Sequence, residues 1–357
     1  MSESATPPPP TTAATAIQPP APVWITQQLG ALLKQQGHAW LLAGPSGLGQ
    51  YRLGLDMVRA WLCDHPTAAG ACGACGSCHA IDVRTHADLC VLMPETIMLE
   101  LDWPLSEKAQ SDIDDKKRKP SKEIRVDAMR DAVEFSQRTS GRGRGKAVLI
   151  FPAERMNNVT ANALLKTLEE PPGDVKFVLA SESAHQLLPT IRSRCLGHTM
   201  VWPDEATSLA WLAGQGMPAA QAKILLRATG GRPDDALQFL ASGRNPSSWT
   251  DLPGAVARGD VGAFKDWTPV QTIDALHKLC HDLLAVKIGA LPRFFEPGSL
   301  PRQEGIVAPV SALTQWAKSL SQQSRTMEHP FNPGLMLEAL VSEGKNALGA
   351  KAGAIHR

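Results

Sequence analysis

Aromatic residues are scarce in this chain: 5% of 357 positions, with a single tyrosine. That scarcity disfavours a surface on which successive bases stack, the usual platform for single-stranded nucleic acid. Net charge is nearly absent too. The 36 Lys and Arg and the 35 Asp and Glu leave +1, so no global field draws the protein to nucleic acid or to a membrane. No apolar run approaches the roughly 20 residues needed to cross a bilayer. The N-terminus lacks a basic patch followed by an apolar core, so no secretory signal is expected. A cytoplasmic protein with reduced cysteines and no membrane partner follows as the expectation. Hydrophobic residues at 43% and charged residues at 20% are ordinary for a globular protein. The length predicts two or three domains rather than one core.

Residues 146–195 hold the clearest pattern. Lys146 to Phe151 is a short apolar run of the kind that forms a buried parallel strand. Ala161, Leu164, Leu165 and Leu168 then fall at i, i+3, i+4 and i+7, one apolar stripe of a helix. Asn157, Asn158 or Thr160 is placed to cap it. Pro171 and Pro172 end it. A second apolar run, Val175 to Ala180, leads to Ser181. Strand, helix, strand is a βαβ unit.

Upstream, His38 to Ala43 reads as a strand that feeds GPSGLGQY, Gly44 to Tyr51, and a helix to about Leu62. Strand, glycine loop, helix is the context of a phosphate-binding loop, with Gly44, Gly47 and Gly49 allowing backbone N–H groups to turn inward. What is missing is the chemistry. A working loop has lysine on the β- and γ-phosphates, followed by Ser or Thr on magnesium. Here Gln50 and Tyr51 stand there. Glutamine carries no charge, and tyrosine is too bulky for a small hydroxyl's place. Arg52 lies at a different position on the helix. The loop is expected to have kept its turn and lost its ligand, so ATP binding by this chain is not expected.

Four of the seven cysteines, Cys63, Cys72, Cys75 and Cys78, are spaced C-x8-C-x2-C-x2-C within 16 residues. Four thiolates close a tetrahedral zinc site with no open position, hence a structural one. Gly70, Gly73 and Gly76 permit the turns between them. A disulfide pair and a redox C-x2-C are the competing readings, disfavoured by a reducing compartment and by the lack of a thioredoxin-like unit. His79 is an alternative ligand. Cys90, Cys195 and Cys280 read as buried thiols.

The rest carries less chemistry. Residues 1–22, rich in Pro, Thr and Ala, read as a disordered tail. Trp24, Leu29, Leu32 and Leu33 indicate a first amphipathic helix. Ala87 to Met93 reads as a strand. Pro94 to Glu123 reads as a solvated surface excursion whose basic run, Lys116 to Lys122, is offset by Asp112, Asp114 and Asp115. A helix follows from Ile124, with Val126, Met129 and Val133 on one face. Gly141 to Lys146 is a basic connector. From Val201 the pattern turns helical: three short helices to about residue 245, then longer ones including Ala275 to Gly289 and a last one from Phe331. His277 and His281 are spaced i, i+4 without a third ligand and read as packing or surface histidines.

ANALLKTLEEPP, the KFVLAS strand, the SRC tripeptide Ser193–Arg194–Cys195 and the four cysteines resemble bacterial clamp-loader subunits of the AAA+ class. The resemblance covers about residues 23–345. It implies an α/β plus all-α protein: an AAA+ parallel-sheet domain (23–200) with an inserted zinc module (63–78), a three-helix lid (201–245), a helical collar for oligomerisation (246–345) and a tail (346–357). In that family the first strand of the βαβ unit ends in an acidic pair that holds magnesium. Phe151 and Pro152 stand there, so two losses, read as independent, argue against hydrolysis. The resemblance gives Arg194 the role of a finger reaching a neighbouring subunit's ATP site, with Arg192 the alternative. Ser181 falls where a polar residue senses the γ-phosphate. The second sensor arginine would fall near Asp234, and Arg232 is offset from it. The implied function is a non-hydrolysing stator with no catalysis of its own. Its implied partners are the DNA polymerase III tau/gamma and delta subunits in a hetero-pentameric ring, with the sliding clamp and primer-template DNA met through the complex. The rival readings are an active AAA+ ATPase and a zinc-dependent nucleic-acid-binding protein.

Overall fold

The computed structural model of the protein describes residues 21–242, 244–300, 308–326 and 332–349. The expected N-terminal tail up to residue 20, Phe331 and the C-terminal tail from residue 350 lie outside them. The chain divides into two compact units between Val201 and Trp202.

The first unit runs α1 (Val23–Leu32), β1 (Ala39–Ala43), α2 (Gln50–Leu62), α3 (Gly76–Asp82), β2 (Leu89–Leu92), α4 (Glu95–Glu100), α5 (Glu107–Asp114), α6 (Val126–Gln137), β3 (Lys146–Ile150), α7 (Asn158–Glu169), β4 (Val175–Ser181), α8 (Pro189–Arg192) and β5 (Leu196–Thr199). Its five strands form one parallel sheet in the order β2-β3-β4-β1-β5. The central strands are apolar throughout because both faces are covered. Alternate residues face opposite ways. Val148, Ile150, Phe177 and Leu179 pack with Met129, Leu164, Leu168 and Ile191 from α6, α7 and α8. On the other face α2 lies so close that a Cβ at Gly54 would come within 2.8 Å of Leu149 Cδ1. Of the three candidate caps of α7, Asn157 serves: its Oδ1 accepts from the Thr160 N–H at 3.0 Å.

Two expectations change. The excursion 94–123 is not a solvated loop but contains α4 and α5. Glu95, buried, accepts a two-pronged ion pair from Arg118 and the Ser121 N–H at 2.8 Å. Arg118, the middle of the basic run, is thus consumed internally, and Lys117 pairs with Asp115 at 2.8 Å. β5 was not foreseen, because Leu196–Thr199 (LGHT) carries no apolar run; it adds to the sheet edge by pairing with β1.

The basic connector is pinned as well. Asp88, 1% exposed, accepts from Ser140 Oγ at 3.0 Å, the Gly141 and Arg142 N–H groups at 2.8 and 2.9 Å, and Lys146 Nζ at 3.4 Å. Burial by itself would raise the Asp88 carboxyl; the donors around it, chiefly the two backbone N–H groups, win and hold it below the usual carboxylate range.

The second unit is helical: α9 (Glu205–Gly214), α10 (Ala219–Ala228), α11 (Pro233–Ala241), α12 (Pro246–Arg258), α13 (Pro269–Lys287), α14 (Val310–Thr326) and α15 (Pro333–Gly349). One hydrophobic cluster runs through it from Leu212 to Val341. Asp282, fully buried on α13, accepts the N–H groups of Arg293, Phe294 and Phe295 at 2.9, 2.7 and 2.8 Å and so fastens the loop after α13. His281 Nδ1 lies 2.9 Å from Asp282 Oδ1. Among the described residues, no metal-capable cluster includes His277 or His281.

Candidate functional site

The carboxyl ends of β1, β3 and β4 lie side by side, the usual place for a ligand in a parallel sheet. They carry the glycine loop, Phe151 and Ser181. Ala43 is in register with Ser181, and the Gly44 N–H donates to the Ser181 carbonyl oxygen at 3.2 Å. Gly47 and Gly49 adopt φ of 77° and 87°, which only glycine takes at little cost. The expected turn is therefore present. Its interior is occupied by the chain itself. Gln50, 2% exposed, donates from Nε2 to the Gly44 and Pro45 carbonyl oxygens at 2.6 and 2.7 Å. Where a phosphate-binding loop keeps a lysine for its ligand, this one uses an amide to tie its own backbone.

Tyr51 turns toward β3. Its ring lies 5.4 Å from that of Phe151, centroid to centroid, and its hydroxyl accepts from Trp103 Nε1 at 2.7 Å. Burial pushes the Tyr51 hydroxyl pKa up. Arg84 stacks over Trp103 at 4.6 Å. The two losses read as independent are therefore one packed contact: the residue standing for the magnesium-binding hydroxyl touches the residue standing for the acidic pair. The Trp103 side chain, from the segment after α4, reaches Tyr51 as well. Arg52, the alternative cation, pairs with Asp56 at 3.0 Å on its own helix.

Ser181 is fully buried and donates from Oγ to Glu154 Oε2 at 2.7 Å; Glu154 also accepts from the Glu182 N–H at 3.1 Å. Glu154 was not foreseen. It lies just past the point where the sheet pattern ends, and periodicity says nothing of it.

Arg194, on the turn after α8, keeps 30% of its side-chain surface exposed. Its Nε donates to Glu169 Oε1 at 2.7 Å, its Nη2 meets the same oxygen, and its Nη1 donates to the Thr190 carbonyl oxygen at 2.7 Å. Arg192 and Ser193 flank it at the end of α8, and the Cys195 thiol is pushed up to about 12 by burial.

Cys63, Cys72, Cys75 and Cys78 converge, with all four sulfurs within 4.8 Å of one another. Cys63 Sγ lies 3.5, 3.7 and 3.8 Å from those of Cys72, Cys75 and Cys78. A tetrahedron of Zn–S bonds near 2.3 Å has edges of about 3.8 Å, so the donor set fits zinc. Cys63 ends α2 and Cys75 caps α3. Gly70 and Gly73 make the turns at φ of 124° and 74°; Gly76, expected to help, begins α3 without positive φ. His79 is exposed and outside the cluster. Arg142 Nη1 donates to Ser77 Oγ at 3.2 Å, which ties the module to the loop that Asp88 pins.

The family model described as DNA polymerase III, delta subunit, matches residues 25–200. The DNA polymerase III subunit delta' of Pseudomonas aeruginosa is 40% identical over 211 residues, 58% of this chain and 57% of that protein. Over residues 25–200 the chain is similar to DNA polymerase III delta-type subunits. The alignment thus spans little more than half of the Pseudomonas member. The Escherichia coli K12 delta' subunit is 27% identical over 328 residues, 84% of this chain and 91% of that one. The E. coli tau subunit is 31% identical over 167 residues, 47% of this chain and 22% of tau. Among solved structures, a gamma-subunit-related protein of Thermotoga maritima covers 90% of this chain and 99% of its own at 16% identity and a TM-score of 0.45.

Proposed function

We propose that this chain is the non-hydrolysing, delta-prime-like subunit of a bacterial clamp loader. It acts in DNA replication by helping to open and load a sliding clamp onto primed DNA. Tau/gamma and delta subunits are its partners in the ring, and it meets clamp and DNA through that assembly. The carrying observation is the self-filled nucleotide site: Gln50 ties the loop, and Tyr51, Phe151 and Trp103 occupy the magnesium side. A triphosphate needs a counter-charge and a metal, and neither position supplies one. The chain then has no hydrolysis of its own, which sets aside the ATPase reading. The near-zero net charge and the internal use of Arg118 speak against the nucleic-acid-binding reading.

What the chain contributes to catalysis is Arg194. A guanidinium is permanently charged and forks onto phosphate oxygens. Supplied in trans at a neighbour's ATP, such a finger speeds hydrolysis by roughly 10³ or more. The four cysteines hold one structural zinc, which would brace the end of α2 against α3.

The test is twofold. The purified chain alone is expected to show neither ATP turnover nor stoichiometric ATP binding by calorimetry. A complex rebuilt with tau/gamma and delta, given clamp and primed DNA, is expected to lose turnover when Arg194→Ala replaces the native chain, with assembly unchanged. Turnover by the isolated chain would overturn the first half; unchanged turnover in an intact mutant complex would overturn the second.

A further inference from the structure

Glu169 is a residue with no evident local benefit. It ends α7, where the helix carries partial negative charge and a carboxylate is disfavoured. Its side chain is 48% exposed, so its ion pair with Arg194 adds little to stability. Yet the pair is closely specified. A guanidinium offers five N–H bonds. The Nε–H and one on Nη2 meet Glu169 Oε1, and one on Nη1 meets the Thr190 carbonyl. These anchors sit on two elements of the same unit, the end of α7 and the start of α8. One N–H on each terminal nitrogen is left over, and such a pair is what phosphate oxygens accept.

We propose that Glu169 is a positioning residue for Arg194: it grips one edge of the guanidinium and leaves the remaining N–H groups directed at a phosphate supplied by a neighbouring subunit. The inference rests on the finger reading above. An arginine with four rotatable side-chain bonds samples many directions when free. Held at one edge, it meets its target already ordered, and misplacement of a catalytic group by about 1 Å costs on the order of 10²-fold in rate. Glu169 touches neither the nucleotide nor the reacting atoms; it acts through Arg194.

The test uses the complex rebuilt with tau/gamma and delta, with single-turnover ATP hydrolysis as the readout. Glu169→Ala is expected to slow one kinetic phase by about tenfold to a hundredfold, through kcat and with KM for ATP unchanged. Glu169→Gln, whose Oε1 still accepts both N–H bonds, is expected to restore most of the rate. Glu169→Ala added to Arg194→Ala is expected to change nothing further, since the residue it positions is gone. Should Glu169→Ala fail to assemble, Glu169→Asp decides: it keeps the charge but shortens the reach by a methylene, so a slowed phase supports the proposal and a native rate overturns it. A native rate in Glu169→Ala beside a slow Arg194→Ala overturns the positioning role and leaves the finger standing. A faster rate in Glu169→Ala makes Glu169 a competitor of the phosphate and also overturns it. No effect of Arg194→Ala removes the finger and the proposal together.

Discussion

Replacing Asp88 by Asn keeps the shape of a nearly isosteric side chain and removes one charge from a buried site. Four donors converge on the carboxylate: Ser140 Oγ, the Gly141 and Arg142 N–H groups and Lys146 Nζ. Asparagine has one acceptor oxygen for them, and its NH2 faces N–H groups that cannot accept. Lys146, also buried, loses its counter-charge and keeps the Phe135 ring, 3.9 Å from Nζ. Breaking a buried pair from one side costs about 3–5 kcal/mol. Against a whole-domain stability of roughly 5–15 kcal/mol that is a large fraction. It corresponds to a fall in Tm of about 10 °C for a unit of this size.

The pH dependence checks the cause. Asp88 is held below its ordinary value in the folded protein. Its contribution is then fully present above the unfolded carboxylate pKa of about 3.9 and fades as pH falls through the lower folded value. The assay is urea unfolding of native and Asp88→Asn protein from pH 7 downward. The stability gap should be level from pH 7 to about 5 and close below about pH 4. A gap under about 1 kcal/mol at pH 7, or one that widens toward pH 4, would refute the reasoning.

Other outcomes follow from the same geometry. One zinc per chain is expected by elemental analysis. Its removal by a strong chelator should expose four further thiols to a thiol reagent and lower Tm, because Cys63 and Cys78 are buried only while the module is closed. Asp282→Ala strands three backbone N–H groups and should cost about 3–5 kcal/mol; Trp249 fluorescence reports it, since that ring stacks on Phe295 at 4.6 Å. Tyr51→Phe removes only the hydroxyl that accepts from Trp103 Nε1 and should cost about 1 kcal/mol by thermal unfolding, while creating no affinity for ATP.

Much of the sheet unit was legible because its central strands are buried on both faces. Lys146–Ile150 and Val175–Ser181 announce themselves as apolar runs. The cysteine spacing foretold a cluster because four sulfurs at short separation have few other uses. The sequence concealed what depends on pairing across distance. β5 is a strand only because β1 offers it an edge. The segment 94–123 reads as polar, and its order comes from Glu95, 23 residues before its partner Arg118. Asp88 sits as a lone acid at the head of an apolar run, a signal that a buried partner was owed. Glu169 gave no signal beyond being an acid at the wrong end of a helix.

The contact between Tyr51 and Phe151 changes how the glycine-loop site is to be understood. As separate positions, Gln50–Tyr51 and Phe151–Pro152 look like two failures that single substitutions could repair one at a time. As a packed contact they do not. Lysine at position 50 alone would lose the amide's two bonds to Gly44 and Pro45 and leave the packed Tyr51, Phe151 and Trp103 side chains unchanged. A small hydroxyl at 51 alone would leave a cavity against the Phe151 and Trp103 side chains, and cavities of that size destabilise. Each single reversal therefore carries a stability cost and gains no chemistry. The filling also gives the loop a structural use, since Gln50 ties the turn after β1 and Tyr51 packs on Phe151 after β3. A loop filled in this way is stabilised as it stands, and under the proposed function the chain would act on nucleotide only through a side chain exposed at another point of the same unit, which is where Arg194 and Glu169 stand.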